Sequence, residues 1–200
     1  ESCNKCNRKP SVYFREYSGE KLCKRCFIES IDRKVQRTIN KFSMIKFGDN
    51  VAVATSGGKD SLVLLSILNA VIGNARGITI SAITIDEGIS GYRDESLKIV
   101  SEFCSKLDVP LTILSYKELF GTQMDEAMKI RPSAKLTSCT ICGTFRRRAI
   151  DIAAEQVGAN VIATAHNLDD EIQTFMINLF AGDVNRMGWN QASSSYKTGC

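Results

Sequence analysis

Histidine is nearly absent: His166 is the one copy in 200 residues. That removes any His-rich metal site and leaves little scope for acid–base catalysis by imidazole, so a structural role for His166 is the simpler reading. A membrane-spanning run is missing too. The longest apolar stretch, Leu62 to Gly73, is broken by Ser66 and Asn69 and is too short to cross a bilayer. The chain opens Glu1-Ser2-Cys3 with no signal-peptide pattern, so the expected compartment is the cytoplasm and no membrane partner is expected. There is no internal repeat and no low-complexity segment. With 44% hydrophobic residues, such a chain can fill one ordinary domain plus a small appendage.

Cysteine, by contrast, is plentiful. Eight copies without a secretory pattern argue for metal ligation rather than a disulfide framework. Cys3-x-x-Cys6 and Cys23-x-x-Cys26 are separated by sixteen residues, a spacing at which four thiolates close a tetrahedron around Zn2+. A knuckle over residues 1–30 buries too little apolar surface to fold alone, so the metal would supply its folding energy. Arg8, Lys9, Arg15, Lys21, Lys24 and Arg25 surround it, with Tyr13, Phe14, Tyr17 and Phe27 interleaved. Aromatics in so small a unit are expected to form its miniature core, though such a surface can also hold phosphates and stack bases. A basic linker over residues 31–48 follows. Ile31, Val35, Ile39, Phe42 and Ile45 recur at helical spacing, predicting an amphipathic helix from Ile31 to Phe47 that ends at Gly48. Residues 1–50 hold 12 Lys/Arg against 6 Asp/Glu, and residues 51–200 hold 14 against 16. The basic excess suits a nucleic-acid backbone or, equally, a solvated helix surface.

Residues 49–200 read as one α/β domain. Predicted strands are Val51–Thr55, Ile78–Asp86, Leu111–Ser115 and Val161–Ala165; predicted helices are Asp60–Ile72, Asp94–Leu107, Thr144–Val157 and Asp169–Leu179. Their alternation implies a doubly wound parallel sheet with ligands at the carboxyl ends of its strands. The first of those ends runs into Ser56-Gly57-Gly58-Lys59-Asp60-Ser61. Two glycines at a strand-to-helix turn bring backbone N–H groups and the positive end of the helix dipole to one point, and Lys59 with the hydroxyls of Ser56 and Ser61 adds charge and hydrogen bonds. Phosphate is the expected guest. The spacing is not that of a Walker loop.

Three further stretches carry chemistry. Asp86-Glu87-Gly88 ends the second strand, where its acids can equally be plain loop residues. Cys139-Thr140-Ile141-Cys142 runs into the predicted start of a helix and on to Arg146-Arg147-Arg148; redox chemistry, half of a zinc site and cluster ligation are all open to it, and the arginines can neutralise phosphates. His166-Asn167-Leu168-Asp169-Asp170-Glu171 opens the last helix, where the acids favour the dipole and can also hold Mg2+ on phosphate oxygens. Cys104, alone in a helical pattern, reads as a buried core residue.

Ser56–Ser61 resembles the PP-loop of the N-type ATP pyrophosphatases, which cleave ATP between the α and β phosphates and adenylate a carbonyl oxygen. Together with the N-terminal cysteines, Asp86-Glu87-Gly88-Ile89, Gly91-Tyr92-Arg93, Cys139/Cys142 and His166–Asp170, the pattern resembles the tRNA 2-thiouridine synthetases of the PP-loop ATPase superfamily, in the archaeal-type group that includes cytoplasmic tRNA 2-thiolation protein 1. The resemblance implies an adenine-nucleotide α-hydrolase-like fold. It implies ATP held by Ala54, Ser56, Gly57, Gly58, Lys59, Asp60, Ser61, Ile85, Arg146, Ala165 and Asp170, with catalytic roles for Asp60, Arg146, Cys139 and Cys142. It also implies a [4Fe–4S] cluster on Cys139, Cys142 and a third, downstream cysteine, for which Cys200 comes sooner than the family pattern has it; the domain is therefore expected to be incomplete at its C-terminal end.

The implied reaction adenylates O2 of a tRNA uridine and replaces that oxygen with sulfur. Ile113–Leu119 and Met124–Glu126 resemble the branch acting on wobble uridine 34. Uridine 54 and cytidine 32 are the alternative positions, and a PP-loop adenylating enzyme without sulfur chemistry is the alternative class. Where the uridine-54 branch carries a catalytic lysine this chain has Arg146, which cannot act as a base and is expected to stabilise charge. Implied partners are tRNA, sulfide or a sulfur-carrier protein, and a second copy of the chain as a homodimer.

Overall fold

Short apolar runs rich in Val and Ile, each closed by a turn and followed by a longer helical pattern, build a parallel sheet. In the computed structural model, which describes residues 1–73, 77–89, 93–130 and 138–184, the chain divides into two units, Glu1–Met44 and Ile45–Cys200.

The first unit holds an antiparallel pair, β1 (Tyr13–Arg15) and β2 (Glu20–Leu22), in the register Tyr13↔Leu22 and Arg15↔Glu20. Helix α1 follows from Lys24 to Lys41. It starts seven residues before the predicted Ile31, directly after the extended Cys23, and ends well short of Phe47, where Ser43, at φ +48°, turns the chain out of the helix. The interior of the unit is Leu22 with Cys3, Cys23 and Cys26, and Phe27 packs beside them. The aromatics do not form the expected miniature core. Tyr13 leans on Phe27 with 4.3 Å between ring centroids, but Phe14 and Tyr17 are exposed, since a two-stranded ribbon has one face to cover and the cysteines occupy it.

In the second unit the order is β3 (Asn50–Ala54), α2 (Lys59–Ile72), β4 (Thr79–Asp86), α3 (Arg93–Leu107), β5 (Leu111–Ser115), α4 (Tyr116–Phe120), α5 (Met124–Ile130), α6 (Ser138–Gln156), β6 (Val161–Ala163) and α7 (Leu168–Phe180). The four strands lie in the order β5-β4-β3-β6, all parallel. Alternation along the strands separates two faces. Ala52, Ile83 and Ile85 pack with Ala149, Ala153 and Ala154 of α6, whose small side chains let the helix lie close to the sheet. Val51, Val53, Ala82 and Thr84 point the other way, where α2 and α3 bring buried Leu65, Leu68, Val100 and Cys104. Cys104 is thus a core residue, as expected. The chain order turns back between β3 and β6, so the loops leaving those strands diverge and open a crevice at their carboxyl ends.

The opposite end is fastened by Asn50. Its side chain donates to Val157 O at 2.8 Å and accepts from Thr79 Oγ1 at 2.8 Å, while its main-chain N–H donates to Asn160 Oδ1. Asn50→Ala removes two of these bonds and is expected to cost about 2 kcal/mol at the usual ~1 kcal/mol each. A lower denaturant midpoint with unchanged ATP affinity checks it, because the contacts lie at the far end of the sheet.

Candidate active site

Four residues carry the chain from the end of β3 into α2. Gly57 adopts φ +87°, and a Cβ there would stand 2.8 Å from Ser96 Cβ and 2.9 Å from Ser96 O, so the loop lies directly on the first turn of α3. Ser61 is buried and turns its hydroxyl inward, donating to Gly58 O at 2.9 Å and accepting from the Ser56 N–H at 3.2 Å. It shapes the loop rather than facing outward as a ligand group. No side chain caps α2, and its first intrahelical bond runs from Leu62 N–H to Gly58 O. The N–H groups of Lys59, Asp60 and Ser61 therefore have no intrahelical acceptor, and with the helix dipole they form an anion site. Lys59 is exposed beside it, 3.3 Å from Asp60.

Glu87, 4% exposed, follows β4 at the same end of the sheet. One carboxylate oxygen lies 2.9 Å from Arg93 Nε, a charge contact whose N–H is not aimed at it; the other accepts from Arg146 Nε at 3.1 Å. Arg93 is itself buried and donates to the carbonyls of Ser56 and Ile85. Arg146 also donates from Nη2 to Cys142 Sγ at 3.4 Å. A chain of polar contacts thus runs from the loop through Arg93, Glu87 and Arg146 to the Cys142 thiol.

Helix α6 starts at Ser138, earlier than the predicted Thr144, which changes the setting of its thiols and arginines. Cys139 and Cys142 stand one turn apart inside the helix, and Arg146–Arg148 fall in its third turn, away from the helix N-terminus. An aromatic cluster anchors this early start. Tyr116 is fully buried, meets Phe145 and Phe120 edge-on at 5.7 and 5.6 Å, and donates from its hydroxyl to Cys142 O at 3.2 Å. Burial, with Cys142 and Glu87 nearby, pushes its phenol well above the ordinary value. The Cys139 side chain and all of Cys200 lie outside the described residues.

In the first unit the four Sγ atoms of Cys3, Cys6, Cys23 and Cys26 lie within 4.8 Å of one another, and those of Cys6 and Cys23 are 3.9 Å apart. A zinc–sulfur tetrahedron with bonds of about 2.3 Å has edges of about 3.8 Å, so the donor set fits Zn2+. Main-chain donation from Cys23, and then Cys6 and Lys5, outweighs burial and lowers the Cys3 thiol to about 6, while burial among the other thiols pushes Cys26 up to about 12.

A family model described as the PP-loop domain matches residues 29–193. The chain belongs to the PP-loop family. Among curated relatives, it is 42% identical over 189 residues to cytoplasmic tRNA 2-thiolation protein 1 of Chlamydomonas reinhardtii, covering 93% of this chain and 52% of that protein. The Dictyostelium discoideum protein of the same name is 41% identical over 188 residues, 92% of this chain and 51% of the relative. The chain thus spans about half the length of the curated relatives it matches. Among solved structures it is similar to the U34-tRNA thiolase NcsA from Methanococcus maripaludis with its [4Fe–4S] cluster, with a TM-score of 0.83 and 34% identity over 98% of this chain and 63% of that one. An NH3-dependent NAD synthetase from Campylobacter jejuni shares the fold alone, at TM-score 0.50 and 11% identity, over 85% of this chain and 78% of that one.

Around the PP-loop the other expected ligand residues are arranged as follows. Ala54 ends β3 and Ala165 follows β6, the two strands that flank the crevice. Ile85 is buried against the α6 face, and its carbonyl is already taken by Arg93. Asp170 forms a capping box with Asn167: its side chain accepts from Asn167 N–H at 2.9 Å and its own N–H donates to Asn167 Oδ1. His166 is exposed, with Nδ1 3.0 Å from Thr164 Oγ1. Sequence reasoning missed Glu87 and Arg93 as parts of the PP-loop setting. An acid and an arginine in a loop carry no periodicity, and the one usable signal was their place at the carboxyl end of a strand.

Proposed function

We propose that this chain is the nucleotide-activating part of an ATP-dependent tRNA 2-thiolation enzyme acting on wobble uridine 34 in the cytoplasm, the compartment and chemistry that its relatives carry in their names. The observation that carries the reading is the contact chain through Glu87, which puts an anion loop and a thiol-bearing helix at the same end of one sheet. Phosphate activation and sulfur delivery both need that end.

ATP lies with its phosphates on residues 56–61. The uridine O2 attacks the α-phosphate and pyrophosphate leaves; Lys59 and Arg146 stabilise the charge on the phosphates, and Asp60 with Asp170 would orient Mg2+ there. Adenylation makes AMP the leaving group at C2, where sulfur replaces it. Cys139, Cys142 and a further cysteine would hold a [4Fe–4S] cluster, which supplies the sulfur, taken from sulfide or a carrier protein, as a nucleophile beside the nucleotide. Cys142 is half-buried, with Arg146 donating to its thiol and Tyr116 holding its main-chain carbonyl, and such a fixed thiol fits a ligand role. Zn2+ on Cys3, Cys6, Cys23 and Cys26 would fold the basic N-terminal unit, whose exposed Tyr13, Phe14 and Tyr17 offer stacking faces to tRNA. A splayed anticodon loop presents C2 more readily than a stacked helix does. The chain works as a homodimer.

The test incubates the protein, reconstituted anaerobically, with ATP, sulfide and unmodified tRNA, and maps the thiolated nucleoside by mass spectrometry. Sulfur at position 34 is expected; sulfur at 54 or 32 overturns the position, and none overturns the reaction. Lys59→Ala is expected to weaken ATP binding at least tenfold, since a charge-assisted bond contributes about 1.5–3 kcal/mol, whereas Asp60→Ala spares binding and loses turnover. Calorimetric titration with ATP separates the two.

A further inference from the structure

The buried acid beside the PP-loop carries more than a share of the fold's charge balance. Glu87 sits between two guanidinium groups with its main chain held on both sides: its carbonyl accepts from Met124 N–H at 2.9 Å, and the next N–H, of Gly88, donates to Asp86 Oδ1 at 2.9 Å. Its carboxylate has little freedom. The two arginines it joins differ in kind. Arg93 is buried and fixed to the loop through Ser56 O, whereas the Arg146 side chain is 52% exposed and stands on another helix. Two cations around one anion leave a net positive charge, and the exposed partner is the one free to present it to an incoming anion.

We propose that Glu87 is a positioning residue: it holds Arg146 in register with the PP-loop, so that the guanidinium meets the phosphates of a bound nucleoside triphosphate. It does so from Oε1 while Oε2 is tied to the loop through Arg93. The inference rests on the reading that ATP phosphates occupy this loop, and it adds the residue that makes Arg146 part of the site. Without the Glu87 carboxylate, Arg146 keeps its contact with Cys142 Sγ on its own helix but samples more rotamers, and its attraction for phosphate is diluted accordingly.

Equilibrium binding of ATP, with adenosine as a second ligand, tests this in the wild type, Glu87→Gln, Arg146→Ala and the double variant. Each single substitution is expected to weaken ATP about tenfold, in line with one charge-assisted contact. The double variant should be no weaker than Arg146→Ala alone, and adenosine binding should stay unchanged. Losses that multiply in the double variant overturn the proposal. So do an Arg146→Ala protein that binds ATP as the wild type does, and equal losses for ATP and adenosine, which would mean that Glu87 acts only through the fold. Should Glu87→Gln fail to fold with Arg93 left unpaired, Glu87→Asp takes its place in the cycle, keeping the charge beside Arg93 and losing one methylene of reach; the same three results then overturn the proposal. Thiolation of tRNA is read in parallel. A coupled ATP cycle in a protein that transfers no sulfur would fail the functional reading and leave this inference standing.

Discussion

Gly57→Ala is expected to weaken ATP binding about a hundredfold. Two penalties combine at this position. The φ of +87° costs an L side chain about 1–2 kcal/mol, and the new Cβ would meet Ser96 Cβ and Ser96 O at under 3 Å, where relief requires moving either the loop or the first turn of α3. Because Arg93 and Ser96 share that turn, the shift passes to the Ser56 carbonyl and so to the anion site. A total near 3 kcal/mol corresponds to roughly two decades in affinity. Ser96→Gly in the same chain removes only the side-chain half of the clash, so it should recover part of the affinity and not all. Titration of both variants decides: wild-type affinity in Gly57→Ala would mean that the loop conformation does not carry nucleotide binding.

Removing the Zn2+ proposed for the four-cysteine site is expected to unfold Glu1–Met44 while the sheet of the second unit persists. The core around the thiols is Leu22 with half-buried Phe27 and otherwise cysteine, and Ile39 of α1 is the one further buried apolar side chain of the first unit among the described residues. Without an ion, one thiol lowered to about 6 and another raised to about 12 share a space of under 5 Å, an arrangement that metal resolves by displacing the protons. Chelation, or Cys23→Ser, should make residues 1–44 sensitive to protease and leave ATP binding near its starting value. Unchanged zinc content in Cys23→Ser would overturn the assignment.

The sheet was legible because its strands are short apolar runs closed by turns; Leu111–Ser115 coincides with β5, β3 is shifted by one residue, and β4 and β6 are one and two residues shorter at one end. The starts of α2, α3 and α7 lie one residue from the expected positions, but α1 and α6 begin seven and six residues earlier than their patterns suggest. Cys139 to Gly143 reads as loop because of Gly143 and the β-branched Thr140 and Ile141, yet Tyr116, Phe120 and Phe145 pack together and draw this segment into α6. Helix α4 was missed although Ser115-Tyr116-Lys117-Glu118 spells a capping box, with Ser115 accepting from Glu118 N–H, since the strand pattern runs straight into it. At the candidate site the loop and the thiol pair were visible as motifs. The links between them were not, because Glu87 and Arg146 are 59 residues apart and only the fold brings them within hydrogen-bonding distance.

The position of β3 bears on how the molecule is made. Its neighbour β4 follows within thirty residues, but its other neighbour pairs as Val51↔Val161, more than a hundred residues later. During synthesis the strand that leads into the nucleotide loop leaves the ribosome well before β6, and the edge that β6 will cover stays unpaired until that strand emerges. Long-range parallel pairing of this kind is slow, since the loop-closure entropy precedes any reward. The crevice between β3 and β6 therefore closes long after the nucleotide loop has been encoded, so a nascent chain acquires its nucleotide site only once β6 has docked.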